Sequence, residues 1–172
     1  ARFFGPVKAA VAAGDSHPRR RPEGTASGPP NRSVMHITAA APSDIEPAVD
    51  RLATAFADDP ITGFLLQTGP GCRERLTQFF SLLMGARVAL GMPVLVARDA
   101  DGIRGAAMGY DTTRPAWPKR FADEWDRFEN AIPGISERMA VYGEIADKAK
   151  PTEPHYYLGV LGLDPALQGR GI

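Results

Sequence analysis

The chain has 172 residues, 44% of them hydrophobic and 23% charged, and a formal net charge of +0. This composition predicts one soluble domain with a substantial core, and the balanced charge argues against a nucleic-acid or membrane partner recruited by a global field. The single cysteine, Cys72, excludes an internal disulfide and suits a reducing, cytoplasmic setting, while the longest apolar run, "FFSLLMGARVALGMPVLVA", is broken by Arg87, Gly91 and Pro93 short of the roughly 20 residues of a membrane span.

In chain order, residues 1–33 read as a disordered, basic, Pro/Gly/Arg-rich extension with almost nothing to bury. They hold six basic and two acidic side chains, against 14 and 18 in the remainder. A nucleic-acid arm built on Arg19, Arg20 and Arg21 is the sharper reading, and a plain tail is the favoured one. Met35 is a candidate natural start, and both ends of the chain are expected to be cut edges of a longer reading frame.

A short strand is predicted over 36–40. In "SDIEPAVDRLATAFADD", Ile45, Ala48, Val49, Leu52 and Phe56 recur at helical spacing; Ser43 or Asp44 caps the start, and Pro60 ends or kinks the helix. "RERLTQFFSLLMGARVAL" is the strongest helix, with Leu76, Phe79, Phe80, Leu83 and Val88 on one side. "PVLVARDADGIRGAAMGYD" predicts a hairpin turning at Asp101-Gly102, a pair that tolerates positive φ. Phe121, Trp125, Phe128 and Ile132 mark another amphipathic helix, stopped by Pro133-Gly134, and "SERMAVYGEIADKAK" a weaker one ending before Pro151.

The last strand is predicted over about 155–163. Tyr156 to Leu163 is apolar in both alternating sets, so burial on both faces is expected. Gly159 and Gly162 interrupt it, as at a bulge or a close approach of another group. Asp164-Pro165 ends it, and Gln168, Gly169, Arg170, Gly171 and Ile172 follow. Small residues at this point let successive N–H groups turn towards one anion, with Arg170 as a mobile cation beside them. For "GRG" alone a plain surface turn is the favoured reading, and no Walker A lysine is present.

The longer pattern, an apolar strand, Asp-Pro, two spacers and Gln-Gly-Arg-Gly-Ile, resembles motif A of the GNAT superfamily of N-acetyltransferases. Gln168 and Gly171 occupy the first and fourth positions of that motif, and its sixth would be residue 173. The element order from Met35 onwards is similar to the family's N-terminal half, and "AFADDPITGFLL" looks like the helix pair bordering its acceptor side. The resemblance implies an α/β fold with a mixed, mostly antiparallel sheet and helices on both faces, its C-terminal part missing. Residues 34–172 would be the N-terminal portion of an acetyltransferase domain. It also implies acetyl-CoA as co-substrate, with Leu161, Gly162 and Leu163 along the pantetheine arm and Gln168, Gly169, Arg170, Gly171 and Ile172 around the pyrophosphate. The thioester would lie near Gly159 to Leu161, with a backbone N–H polarising its carbonyl, and the acceptor would be a small-molecule or peptide amine.

Glu153 and His155 are the candidates for the proton acceptor, and two exposed loop residues is the favoured reading. Tyr156 and Tyr157 read as core or cleft-wall aromatics, Asp58 and Asp59 as a helix stop, and Asp123, Glu124, Asp126 and Glu129 as a wet helix face. Cys72 reads as incidental. His17, His36 and His155 lack ligand spacing, so no metal is expected. The isolated chain is expected to be inactive and poorly soluble, its last strand exposing an unpaired apolar edge. The alternative reading is a non-catalytic acyl-CoA or nucleotide binding module.

Overall fold

The computed structural model of the protein describes residues 34–148 and 150–170, so the expected N-terminal extension and the expected pyrophosphate contacts of Gly171 and Ile172 lie outside the described residues. Four strands, β1 (His36–Ala39), β2 (Val94–Asp99), β3 (Gly102–Asp111) and β4 (Tyr156–Leu163), form one antiparallel sheet in the order β1-β2-β3-β4. Gly102 has a φ of 116° at the β2–β3 turn, the backbone freedom that the Asp101-Gly102 pair supplies.

The helices are α1 (Ile45–Ala55), α2 (Pro60–Leu66), α3 (Cys72–Ala89), α4 (Lys119–Asn130) and α5 (Ile135–Asp147). Asp44 precedes α1, yet its carboxylate makes no helix cap: it accepts from the Ala41 N–H at 2.9 Å and from Arg98 at 2.9 Å, tying the helix entry to β2. The helix expected to run to Pro60 stops at Ala55. Asp59 caps the next one instead, accepting from the Thr62 N–H at 2.8 Å, and Pro60 takes the first helical position, where no N–H is needed. The Asp-Pro pair therefore starts α2 as well as marking a stop.

One core holds these elements together. Leu76, Phe79, Phe80 and Leu83 of α3 are buried, as their spacing predicts. Phe79 lies at the centre of an aromatic cluster, with ring centroids 5.3 Å from Phe80, 5.8 Å from Trp125 and 6.3 Å from Phe128. The opposite side of α4 carries Asp123, Glu124 and Asp126 in solvent, with Glu129 half-buried; Asp123 pairs with Lys119 one turn away.

Helices α1 and α3 pack on the sheet face that carries Val94, Val96, Ala106, Met108 and Val160. They supply the helical layer expected on that side. The opposite face presents Ile37, Leu95, Leu158, Leu161 and Tyr156, which are 42–60% exposed among the described residues. The prediction that β4 is buried on both faces is thus corrected: Val160 and Gly162 are buried, whereas Tyr156, Leu158 and Leu161 are not. The apolar alternation was real, but the described helices cover only one of its two sides.

Candidate functional site: a cleft, a bulge and a loop along one strand

Strand β4 is the outer strand of the described sheet. Its pairing with β3 shifts register between Met108 and Gly109: Met108 faces Val160 and Gly109 faces Leu158, leaving Gly159 as the extra residue of a bulge. Gly162 has a different reason. A Cβ there would lie 2.7 Å from Leu52 and 2.9 Å from Phe56, so α1 rests directly on the β4 backbone. The two glycines read from sequence as "bulge or close approach" are one of each.

Beyond Leu163 the chain is fixed by Asp164. Its N–H donates to the Arg104 carbonyl at 2.7 Å, and its carboxylate accepts from the Ala166 N–H at 3.0 Å and lies 3.8 Å from Arg51 and 3.9 Å from Arg104. A short 3-10 turn, Pro165–Leu167, follows. The Leu167 and Gln168 N–H groups donate back to Asp164 and Pro165, and the Gln168 side chain donates to the Leu163 carbonyl at 3.0 Å. Gln168 therefore clamps the loop, and its own amide is turned inward rather than offered to a ligand. The amides of Gly169 and Arg170 make no hydrogen bond to another described residue; Gly169 has a φ of 72° with open space on its Cβ side, and Arg170 is exposed. A left-handed glycine whose N–H, like that of the next residue, has no acceptor among the described residues is compatible with an anion cradle, and in that respect these residues fit a pyrophosphate.

The other end of β4 opens on a cleft of about 620 Å³, walled by Tyr110 with residues 112–117 and by residues 150–155. Thr112 and His155 lock the walls together: the Thr112 N–H donates to the His155 carbonyl at 3.1 Å, and the His155 N–H donates to Thr112 Oγ1 at 3.0 Å. The structure brings Glu153 and His155 to the same wall. Glu153 is exposed, as expected. His155 is not a free loop side chain: its Nδ1 lies 2.8 Å from the Glu153 carbonyl, and its Nε2 is shielded from solvent without a hydrogen-bond partner. A carbonyl only accepts, so Nδ1 carries the hydrogen, and in the neutral ring Nε2 presents its lone pair.

Three groups here escaped sequence reading: Arg87, Tyr110 and Arg114. Arg87 is 8% exposed, and its Nη1 donates to the Leu83 carbonyl one turn back at 3.0 Å. Burial, with Arg114 nearby, lowers its pKa to about 10. Tyr110 is buried against Tyr157, ring centroids 5.3 Å apart, and burial raises the pKa of both phenols, so both are neutral donors. The signal for Arg87 was present. It sits seven residues after Phe80 and four after Leu83, on a stripe otherwise reserved for the core, where an unpaired charge is costly.

Cys72 is a free thiol at the start of α3, and no cluster of potential metal ligands occurs among the described residues. No described helix is long and apolar enough to cross a membrane.

An antiparallel sheet with α1 and α3 on one face and a bulged outer strand leading into an Asp-Pro turn and a glycine loop is a GNAT-type α/β fold. A solved structure, histone acetyltransferase HPA2 and related acetyltransferase from Corynebacterium glutamicum, superposes with a TM-score of 0.57 at 24% identity, over 80% of this chain. The chain spans 65% of the length of that structure. No family model and no curated protein sequence matches it. At that identity the likeness is one of fold, and function has to be argued from the site.

Proposed function

We propose that the chain forms the donor-binding part of an acyltransferase that moves an acetyl group from acetyl-CoA to an amine. The observation that carries this reading is the order of features along β4. The cleft, the Gly159 bulge and the glycine loop follow one another on a single strand, His155 lying four residues before the bulge and Leu163 four after it, or ~13 Å of extended chain each way. A donor held by its phosphates at Gly169 and Arg170 and laid along Leu163, Gly162 and Leu161 would bring its reactive end to the bulge. An amine entering through the cleft would meet it there.

When bound, acetyl-CoA supplies an activated acyl group on a good leaving thiol. The chain supplies position and proton handling. A bulge tilts backbone N–H groups out of the ladder, where one can donate to a carbonyl oxygen as negative charge develops on it. The Nε2 lone pair of His155, once a side-chain movement uncovers it to the cleft, takes the proton that the attacking amine must lose. Tyr110 lines the approach as a neutral phenol, with the Tyr157 ring packed against it. A cytoplasmic location and a small-molecule or peptide acceptor belong to the same proposal.

Titration calorimetry with coenzyme A, followed by thiol release from acetyl-CoA with a panel of amines, both on the full reading frame, tests it. Binding together with amine-dependent release supports transfer. Binding with no release by any amine would favour a non-catalytic module, and absence of binding would end the proposal.

A further inference from the structure

Among the described residues Arg87 is the one cation in the buried core, and it lies beside the bulge. Arg87 is buried, and no carboxylate among the described residues pairs with it. Its Nε is shielded from solvent with no hydrogen-bond partner, although the guanidinium is a five-donor group. Its Nη2 lies 3.6 Å from where a side chain on Gly159 would begin, so the guanidinium reaches the bulge itself. A second guanidinium, that of Arg114, is 3.7 Å from the centroid of the Tyr110 ring, and Arg87 is 5.6 Å from the same centroid. Tyr110 and Arg114 both line the cleft. Two like charges are thus gathered around one phenol, and burial, with Arg114 nearby, disfavours the charge on Arg87.

Cation–π contact with Tyr110 offsets part of this cost, but it leaves the in-plane Nε–H of Arg87 without an acceptor among the described residues. The missing partner is an anion with two oxygens in one plane, matching a guanidinium fork. We propose that Arg87, with Arg114 and the Tyr110 hydroxyl, recognises a carboxylate carried by the acceptor, so that the amine substrate of this site is an amino acid or another amine-bearing carboxylic acid. The inference rests on the acyl-transfer reading for calling the ligand an acceptor; the anion site itself does not need that reading. Because Arg114 and Tyr110 belong to the cleft wall, the carboxylate enters from the cleft side, opposite the loop end of β4.

The test uses the whole chain and two probes of nearly equal shape, 4-aminobutanoate and 4-aminobutanamide, in titration calorimetry. The carboxylate is expected to bind at least about tenfold more tightly than the amide, the size of effect that a charge-assisted hydrogen bond confers. Arg87→Gln should abolish the preference, and Arg114→Gln, which alters only the cleft wall, should reduce it even if Arg87→Gln fails to fold. Equal binding of both probes by the unaltered chain, or a preference that survives both substitutions, would overturn the proposal. So would thiol release that is faster from succinyl-CoA than from acetyl-CoA in an Arg87-dependent way, because the carboxylate would then belong to the donor. Coenzyme A is titrated in parallel. Carboxylate discrimination without coenzyme A binding keeps the anion site and removes the acyl-transfer reading, whereas coenzyme A binding without discrimination removes only the present inference.

Discussion

The β3–β4 pair has two ends, and they treat charge in opposite ways. At the loop end, Arg104 donates to Asp99 at 2.9 Å, pairs with Asp101, and has Asp164 within 3.9 Å; the backbones run so close that a Cβ on Gly105 would lie 2.5 Å from the Gly162 carbonyl. At the cleft end, among the described residues, Arg87 has no carboxylate, two arginines surround one tyrosine, and His155 keeps a shielded nitrogen without a hydrogen-bond partner. The same strands supply both ends, so strand pairing does not account for the difference. Shielded nitrogens without a hydrogen-bond partner among the described residues occur at the cleft end, in Arg87 and His155, and also away from it, in Arg98 and Arg138; a buried cation with no carboxylate beside it is found at the cleft end.

Substitutions at the two ends should therefore separate into loss of activity and loss of fold. The largest effect is expected from His155→Gln at the cleft end: in the full reading frame, a fall of about 10²-fold in acetyl-transfer rate, the usual worth of a positioned proton acceptor, with an unchanged melting temperature. A parallel fall in melting temperature would reassign His155 to the scaffold. Next is Gly162→Val towards the loop end, where the new side chain must displace Leu52 and Phe56; a destabilisation of ~1–3 kcal/mol is expected by urea unfolding. Asp59→Ala should cost ~1 kcal/mol through the lost α2 cap, a control remote from both ends.

Acid sensitivity should also sort by end. Hydrogen bonding to Arg104 holds Asp99 below its ordinary value of 3.8, so its contribution to stability is present above pH 3.8 and is lost as pH falls through the lower folded value. Melting temperature measured across that window should fall less steeply in Asp99→Asn than in the unaltered chain. The smallest change in stability is expected from Gly159→Ala. Its Cβ would meet nothing closer than 3.5 Å and its φ is not positive, so unfolding should stay within about 0.5 kcal/mol of the original, the range of substitutions that disturb no packed or bonded group.

Much of the fold was legible because its signals are local. Phe79 and Phe80 set the buried side of α3, Asp101-Gly102 set the hairpin, and Gly159 and Gly162 marked the two irregular points of β4. The site was legible only in part. The loop from Asp164 to Arg170 carried a recognisable pattern, but the inward turn of the Gln168 amide depends on a backbone bond to Pro165 that composition does not encode. Arg87 and Arg114 are 27 residues apart and meet only because α3 lies across β3, so their partnership around Tyr110 had no sequence signature. Asp59 misled for a simpler reason: an Asp before a Pro both ends one helix and begins another, and periodicity upstream of it gives no sign of which.

The bare backbone at Gly162 has a mechanical consequence. With no side chain to act as a cushion, Leu52 and Phe56 bear directly on the strand, so a sideways push on α1 reaches the β4 main chain almost undamped. Arg51, on the same helix, is joined through Asp164 to the start of the glycine loop. Helix and loop are geared together, and whatever leans on α1 also steers the place where a donor's phosphates would rest.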